Sequence, residues 1–333
     1  MGKPNALYIL GQRAYNIIYG PEERADIAEL THVLAEPLQR EAAIHRGDLL
    51  EQVEVIFSGW GGPTFNEDFL AKAPNFKACF YGAGSIRNLV TPAFWQRDAV
   101  ICSAWAANAL PVAEYTLSQV LWNLKKGWYY ARKLRETKQW RRDVIVPGAY
   151  GTTVGIISLG MIGRRVVELL QPFDLKVIAY DPFVAETDAR AMGVDELVSL
   201  EDLFRRSHVA SLHTPNLPET RGLITGKLLE SLPENATFIN TARGAVVCEE
   251  EMIDVLKKRT DLHAVLDVVN PEPPEETSPL WTLENVTLTP HIAGSMDTEC
   301  NRMGRFMVED CKRWMNGEPM KWQIREDQAK RLA

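Results

Sequence analysis

Cysteine is scarce in this sequence and unpaired: Cys79, Cys102, Cys248, Cys300 and Cys311 are odd in number and include no C-x-x-C spacing. That argues against a disulfide scaffold and against a zinc site, so no metal is expected. Long apolar runs are missing too, and none approaches the roughly 18 residues a membrane helix needs. The short apolar stretch at residues 6–10 is broken at once by Gly11-Gln12-Arg13, so it does not read as a signal peptide. A basic excess is lacking: the formal net charge is −7, which leaves no electrostatic footprint for nucleic acid. Internal repeats and low-complexity tracts are absent as well. What remains is the expectation of a cytoplasmic chain with neither membrane nor nucleic-acid partner.

The chain has 333 residues, enough for two domains with a core each. Hydrophobic residues make up 46% and charged residues 24%, the balance of a globular protein. Short apolar runs at 6–10, 53–57, 77–81 and 100–103 read as buried strands, with helical stretches such as 65–73 between them. Such alternation predicts parallel strands joined by crossover helices. One long helix is expected over 112–136, with Val112, Leu117, Val120, Leu121, Leu124 and Trp128 on its apolar face. After the turn signal Val146-Pro147-Gly148 a second series begins, with strands at 153–157, 175–180, 209–212, 236–239, 264–268 and 286–289. A final helix over 296–314 places Met303, Phe306, Met307 and Cys311 on one side.

The strand at 153–157 turns directly into a helix through Ser158-Leu159-Gly160-Met161-Ile162-Gly163. This is the dinucleotide fingerprint with serine in place of its first glycine. Gly160 would let the backbone approach a pyrophosphate, and Gly163 would let helix and strand pack closely. The free amides of the first helical turn, around Met161 and Ile162, face the phosphates at the positive end of the helix dipole. The next strand ends at Asp181, and 181 − 163 = 18, near the spacing of an acid that holds ribose hydroxyls. Such an acid repels a 2′-phosphate, so NAD is favoured over NADP as cofactor.

Ligands of open α/β sheets bind beyond the carboxyl ends of the strands. Every strand exit of the second series carries polar or charged groups: Asp181, His213-Thr214-Pro215, Asn240-Thr241-Ala242-Arg243, Asp267 and Pro290-His291. These stretches, with Leu266-Asp267-Val268-Val269-Asn270-Pro271-Glu272-Pro273 and Thr289-Pro290-His291-Ile292-Ala293-Gly294, resemble the D-isomer-specific 2-hydroxyacid dehydrogenases over residues 76–320. That family includes glyoxylate/hydroxypyruvate reductases and phosphoglycerate dehydrogenases.

The resemblance implies a catalytic set of Arg243, Glu272 and His291. A guanidinium can bind the carboxylate of a 2-keto acid and polarise its carbonyl. A histidine can supply the proton to the carbonyl oxygen, and a carboxylate beside it fixes its tautomer. The resemblance also implies cofactor contacts at Thr214, Thr241, Ala242, Asp267 and Gly294, and a structural rather than catalytic His213. The fold it implies is two doubly wound parallel-sheet domains, a Rossmann nucleotide domain inserted into a flavodoxin-like substrate domain. The expected divisions are 1–110 and 296–333 for the substrate domain and 111–295 for the nucleotide domain, with the active site in the cleft between them.

In the first part, Gly82-Ala83-Gly84-Ser85 matches the family's substrate-carboxylate loop, so Ala83 and Gly84 join Arg243 as expected substrate contacts. The family continues with an apolar residue and Asp-Asn; this chain has Ser85, Ile86 and Arg87. Arg87 could meet a second acidic group, and Trp60 could wall the pocket. A homodimer is expected from the apolar and aromatic surplus of the long helix. Glu272 disfavours the formate dehydrogenase branch, where glutamine stands at that position. The end of the chain soon after the last helix is read as leaving no room for an appended regulatory domain. A second reading keeps the fold without turnover, as an NAD(H)-sensing protein like the related corepressors; oxidation of NADH with 2-keto acids separates the two.

Overall fold

A computed structural model describes residues 2–330. Two compact units emerge, one formed by the chain up to Ala109 together with its return from Ser295, the other by Leu110–Gly294. Each unit boundary lies one residue before the position expected from sequence.

In the first unit β1 (Asn5–Ile9), β2 (His32–Val33), β3 (Val55–Ser58), β4 (Ala78–Tyr81) and β5 (Val100–Ser103) are parallel, in the order β2-β1-β3-β4-β5. Alternate residues face opposite layers. Leu7, Ile9 and Ile56 point to a core with Phe65, Phe69 and Phe94. Ala6, Tyr8 and Phe57 point to the other, which Met303, Met307 and Cys311 of the return helix Cys300–Met315 complete. Burial on both faces is what makes these strands read as unbroken apolar runs.

The second unit continues with β6 (Thr153–Ile157), β7 (Lys176–Tyr180), β8 (Glu196–Leu197), β9 (Val209–Leu212), β10 (Thr237–Asn240), β11 (His263–Leu266) and β12 (Val286–Leu288). All are parallel in the order β8-β7-β6-β9-β10-β11-β12, which reverses direction between β6 and β9. Ile157, Leu212, Phe238 and Leu266 fill one side; Ile156, Val209, Ile239 and Val265 fill the other. The doubly wound α/β class is therefore what both units adopt. Back in the first unit, β13 (Gln323–Ile324) joins β5 antiparallel after the return helix.

The single helix expected over 112–136 is two helices, Trp105–Leu124 and Gly127–Thr137. The first begins seven residues before Val112 and contains Pro111 in its interior. Proline removes one intrahelical bond and usually marks a helix start, but burial of Ala106, Ala107 and Ala109 holds the earlier turns in place. The break falls at Lys126, which adopts the left-handed conformation (φ 54°). Its ammonium is buried and donates to the Asn235 carbonyl, and burial lowers its pKa to about 8. The helix expected over 296–314 starts at Cys300 rather than 296, after a short 3₁₀ turn at Asp297–Glu299, and a short helix, Glu326–Ala329, follows it. Among the described residues no helix is long and apolar enough to cross a membrane.

Candidate active site

The exits of β6 and β9 flank the point where the strand order reverses. Here Ser158, in place of the fingerprint's first glycine, takes φ 77°. A side chain in that region costs about 1–2 kcal/mol, and two bonds hold it: its amide donates to Tyr180 O (2.8 Å), and its Oγ lies 2.7 Å from Thr214 Oγ1. Gly163 answers a close approach, since a Cβ there would lie 2.1 Å from the Ser158 carbonyl oxygen. At Gly160 a Cβ would meet nothing within 4 Å, and the helix Met161–Leu170 that follows has no side-chain cap on its first amides. Open space above uncapped amides at a helix N-terminus fits a pyrophosphate. Asp181 is partly engaged: its carboxylate accepts from Leu159 N (2.7 Å), which ties it to the fingerprint turn, and from Phe183 N (2.8 Å). These residues fit NAD: Gly160, Met161 and Ile162 would hold its phosphates and Asp181 its ribose.

At the exits of β11 and β12 the structure brings Glu272 and His291 together, with Nδ1 of His291 2.6 Å from Glu272 Oε1. An ionised carboxylate only accepts, so Nδ1 carries the proton and Nε2 is left to exchange one. Both side chains are a little under half exposed. His291 is held at φ 54°, and its amide donates to Asp267 O (3.0 Å) and Thr289 O (2.9 Å).

Asp267 turns out to be the support of this turn. Its Oδ1 accepts from Thr289 Oγ1 (2.6 Å) and Ile292 N (2.8 Å), and its Oδ2 from Ala293 N (2.9 Å). The carboxylate is nearly fully buried, so only the remaining capacity of Oδ2 is left for the nicotinamide contact expected of it. Arg243 follows β10 at the neighbouring exit, and its Nη1 donates to Ala242 O (2.6 Å). The Thr241 and Ala242 side chains are buried. Thr241 Oγ1 lies 3.3 Å from Thr116 Oγ1, and the Ala242 amide is taken by Asn240 Oδ1 (3.0 Å), so neither side chain stands open on the rim. Gly294 is half-buried and is the last residue of this unit.

In the first unit the Ala83 and Gly84 carbonyls both accept from Ser103 Oγ (2.9 and 2.6 Å), which fixes the loop after β4. Ile86 is buried and Arg87 exposed. Trp60 is exposed at the carboxyl end of β3, on a turn whose carbonyl accepts from Gly11 N (2.8 Å). Among the described residues no group of three His, Cys, Asp or Glu could hold a metal ion. Sequence reasoning missed Tyr115, whose Oη lies 2.9 Å from Thr289 Oγ1; nothing in its helix pattern marks it out.

His213 is buried, with Nε2 3.0 Å from Ser211 Oγ, and burial pushes its pKa down to about 3. His263, with Nε2 2.9 Å from Thr287 Oγ1, is likewise lowered to about 3, by burial first and then by the Lys126 and Arg132 charges. Both rings stay neutral in the folded chain, whereas the unfolded chain protonates them below about pH 6.5. The unfolded state then binds more protons, so stability is complete above that pH and falls as pH drops toward 3, by about 1.4 kcal/mol per unit for each ring. Denaturant unfolding at several pH values between neutral and mildly acidic should show this slope, and His263→Gln should flatten it. An unchanged slope in that variant would remove the assignment.

Comparison with known proteins agrees with this geometry. The D-isomer specific 2-hydroxyacid dehydrogenase, NAD binding domain family matches residues 117–293. A D-3-phosphoglycerate dehydrogenase of Methanocaldococcus jannaschii is 30% identical over 257 residues, 77% of this chain and 49% of that one. An (S)-sulfolactate dehydrogenase of Chromohalobacter salexigens is 30% identical over 249 residues, 74% of this chain and 80% of that one. A solved D-isomer specific 2-hydroxyacid dehydrogenase from Xanthobacter autotrophicus Py2, in complex with NADPH and MES, superposes with a TM-score of 0.76 at 25% identity, covering 98% of this chain and 99% of that one. The chain belongs to the D-isomer specific 2-hydroxyacid dehydrogenase family, and its Leu110–Gly294 unit is a Rossmann NAD-binding domain. It spans about half the length of the phosphoglycerate dehydrogenase it matches, 49%.

Proposed function

We propose that this protein is an NAD-dependent D-2-hydroxyacid dehydrogenase that reduces a small 2-keto acid of the glyoxylate or hydroxypyruvate kind, or oxidises the corresponding 2-hydroxy acid. The observation that carries the reading is the His291–Glu272 pair at 2.6 Å beside Asp267, at the strand exits next to Arg243. The cofactor, when bound, would provide the hydride chemistry, donating as NADH in reduction and accepting as NAD⁺ in oxidation. Arg243 binds the substrate carboxylate and polarises the adjacent carbonyl. His291 gives its Nε2 proton to the carbonyl oxygen in reduction and takes one in oxidation, while Glu272 holds the ring by Nδ1. The test is loss of NADH absorbance with a panel of 2-keto acids; tight NADH binding without turnover on any of them would favour a sensing role instead.

Cofactor choice is the next expectation. Asp181, tied to the fingerprint turn by the Leu159 amide and fixed further by the Phe183 amide, would face a 2′-phosphate with a negative charge. NADH should be preferred over NADPH by roughly tenfold in kcat/KM, about 1.4 kcal/mol. Asp181→Ser should erode that preference, and equal use of both cofactors by the parent would overturn it.

The assembly we propose is a homodimer held mainly by the Leu110–Gly294 unit. Trp140, Ile145 and Tyr150 are each more than three-quarters exposed, and Trp122 is about half exposed, all in that unit. Apolar surface of this kind is what a two-fold interface covers. Light scattering at micromolar concentration should give twice the chain mass; a monomer would defeat the proposal. We place the enzyme in the cytoplasm, where five free cysteines remain reduced.

A further inference from the structure

We infer that Tyr115 is a positioning residue for His291, acting through Thr289 and Asp267. The inference rests on His291 being the proton carrier of the proposed reaction. All four residues lie in the Leu110–Gly294 unit.

The direction of the hydrogen bonds follows from chemistry. A carboxylate only accepts, so the Thr289 hydroxyl spends its proton on Asp267 Oδ1, 2.6 Å away. The contact of 2.9 Å between Tyr115 Oη and Thr289 Oγ1 is then donated by the phenol. Burial, with the Asp267 charge adding to it, raises the Tyr115 pKa and keeps that proton in place. A directed chain runs from phenol to hydroxyl to carboxylate, and its members polarise one another.

The chain ends on the group that hangs the catalytic turn. Asp267 receives the amides of Ile292 and Ala293, while the Asp267 and Thr289 carbonyls both receive the amide of His291. A residue other than glycine at φ 54° persists only where its surroundings over-determine it. Thr289 contributes twice, through its carbonyl and its hydroxyl, and Tyr115 sets the hydroxyl. The next residue on the same helix, Thr116, approaches Thr241, two residues before Arg243, at 3.3 Å. Tyr115 meets Thr289, two residues before His291. Adjacent positions of the helix Trp105–Leu124 thus reach the loops of both the arginine and the histidine.

The experiment compares Tyr115→Phe, Thr289→Val, the double variant and Thr289→Ser in the full chain. Tyr115→Phe should lower kcat for 2-keto acid reduction about fivefold to tenfold with KM for NADH within about twofold. Thr289→Val should lose at least as much, and Thr289→Ser should recover most of it. Because the effect of Tyr115 passes through Thr289, the double variant should be no slower than Thr289→Val. An unchanged kcat in Tyr115→Phe, losses that multiply in the double variant, or a rise in KM for NADH that matches the loss of kcat would each overturn the inference. The imidazole ¹⁵N resonances of His291 read the same coupling without turnover. If the parent turns over no 2-keto acid, the functional reading fails; the resonances still decide, since they should shift in Tyr115→Phe, and unchanged ones would sink the coupling.

Discussion

Replacing Arg243 with alanine is expected to remove turnover while leaving NADH affinity almost as it was. Arg243 stands just beyond β10 in extended conformation (φ −151°), and the buried Thr241 and Ala242 before it hold the backbone in place. Its role in the proposed reaction begins at the substrate: the guanidinium meets the carboxylate and the carbonyl oxygen on which negative charge develops. Removing a charged donor of that kind costs about a thousandfold in kcat/KM, roughly 4 kcal/mol. Lysine restores the charge but not the planar fork, so Arg243→Lys should recover only part of the loss. Steady-state kinetics and NADH fluorescence titration together check this. An Arg243→Ala enzyme that keeps most of its kcat/KM would take the residue out of the mechanism.

Much of the fold was legible because the strands are buried on both faces. Val55–Ser58 and Ala78–Tyr81 read as apolar runs since every residue in them is buried. Three of the four edge strands escaped notice for the opposite reason. His32–Val33, Glu196–Leu197 and Gln323–Ile324 are two residues long and partly exposed, too short to show a period of two. Pro111 hid the first turns of the helix Trp105–Leu124, since local preference argues for a start there and packing overrules it. The break at Lys126 was hidden by chemistry: a lysine between Leu124 and Trp128 reads as the polar face of one continuous helix, but its amine is buried on the Asn235 carbonyl.

The candidate site was legible in part and for different reasons. Ser158 was readable as a departure from the fingerprint; its left-handed backbone and its bond to Thr214 were not, because Thr214 lies 56 residues on. Glu272 and His291 were named through motifs, and no local pattern could have paired residues 19 apart on two strand exits. Asp267 was read as a cofactor contact. Its principal partners are the turn that carries the histidine, and that emerges only when β11 and β12 are set side by side.

Asp267 carries the other large expected effect. Asp267→Ala should cost both activity and stability, and Asp267→Asn should do nearly as badly. Alanine leaves the Thr289 hydroxyl and the Ile292 and Ala293 amides without their acceptor at a site only 2% exposed. Unsatisfied buried donors cost about 1–3 kcal/mol each, and the left-handed His291 loses what holds it, so a destabilisation of about 3–5 kcal/mol is expected. Asparagine keeps one oxygen but puts an amide NH2 where the other was, placing donor against the Ile292 or Ala293 backbone amide. As the turn relaxes, His291 leaves its bond to Glu272, and kcat should fall about a hundredfold or more. Glu272→Gln is the useful contrast. Its amide oxygen can still accept from Nδ1 of His291, and the pair is a little under half exposed, so the loss should be only several-fold. Chemical denaturation and reductive kinetics of the three variants test the order. If Asp267→Asn unfolds at the parent's midpoint with the parent's kcat, the buried carboxylate is not what shapes the catalytic turn.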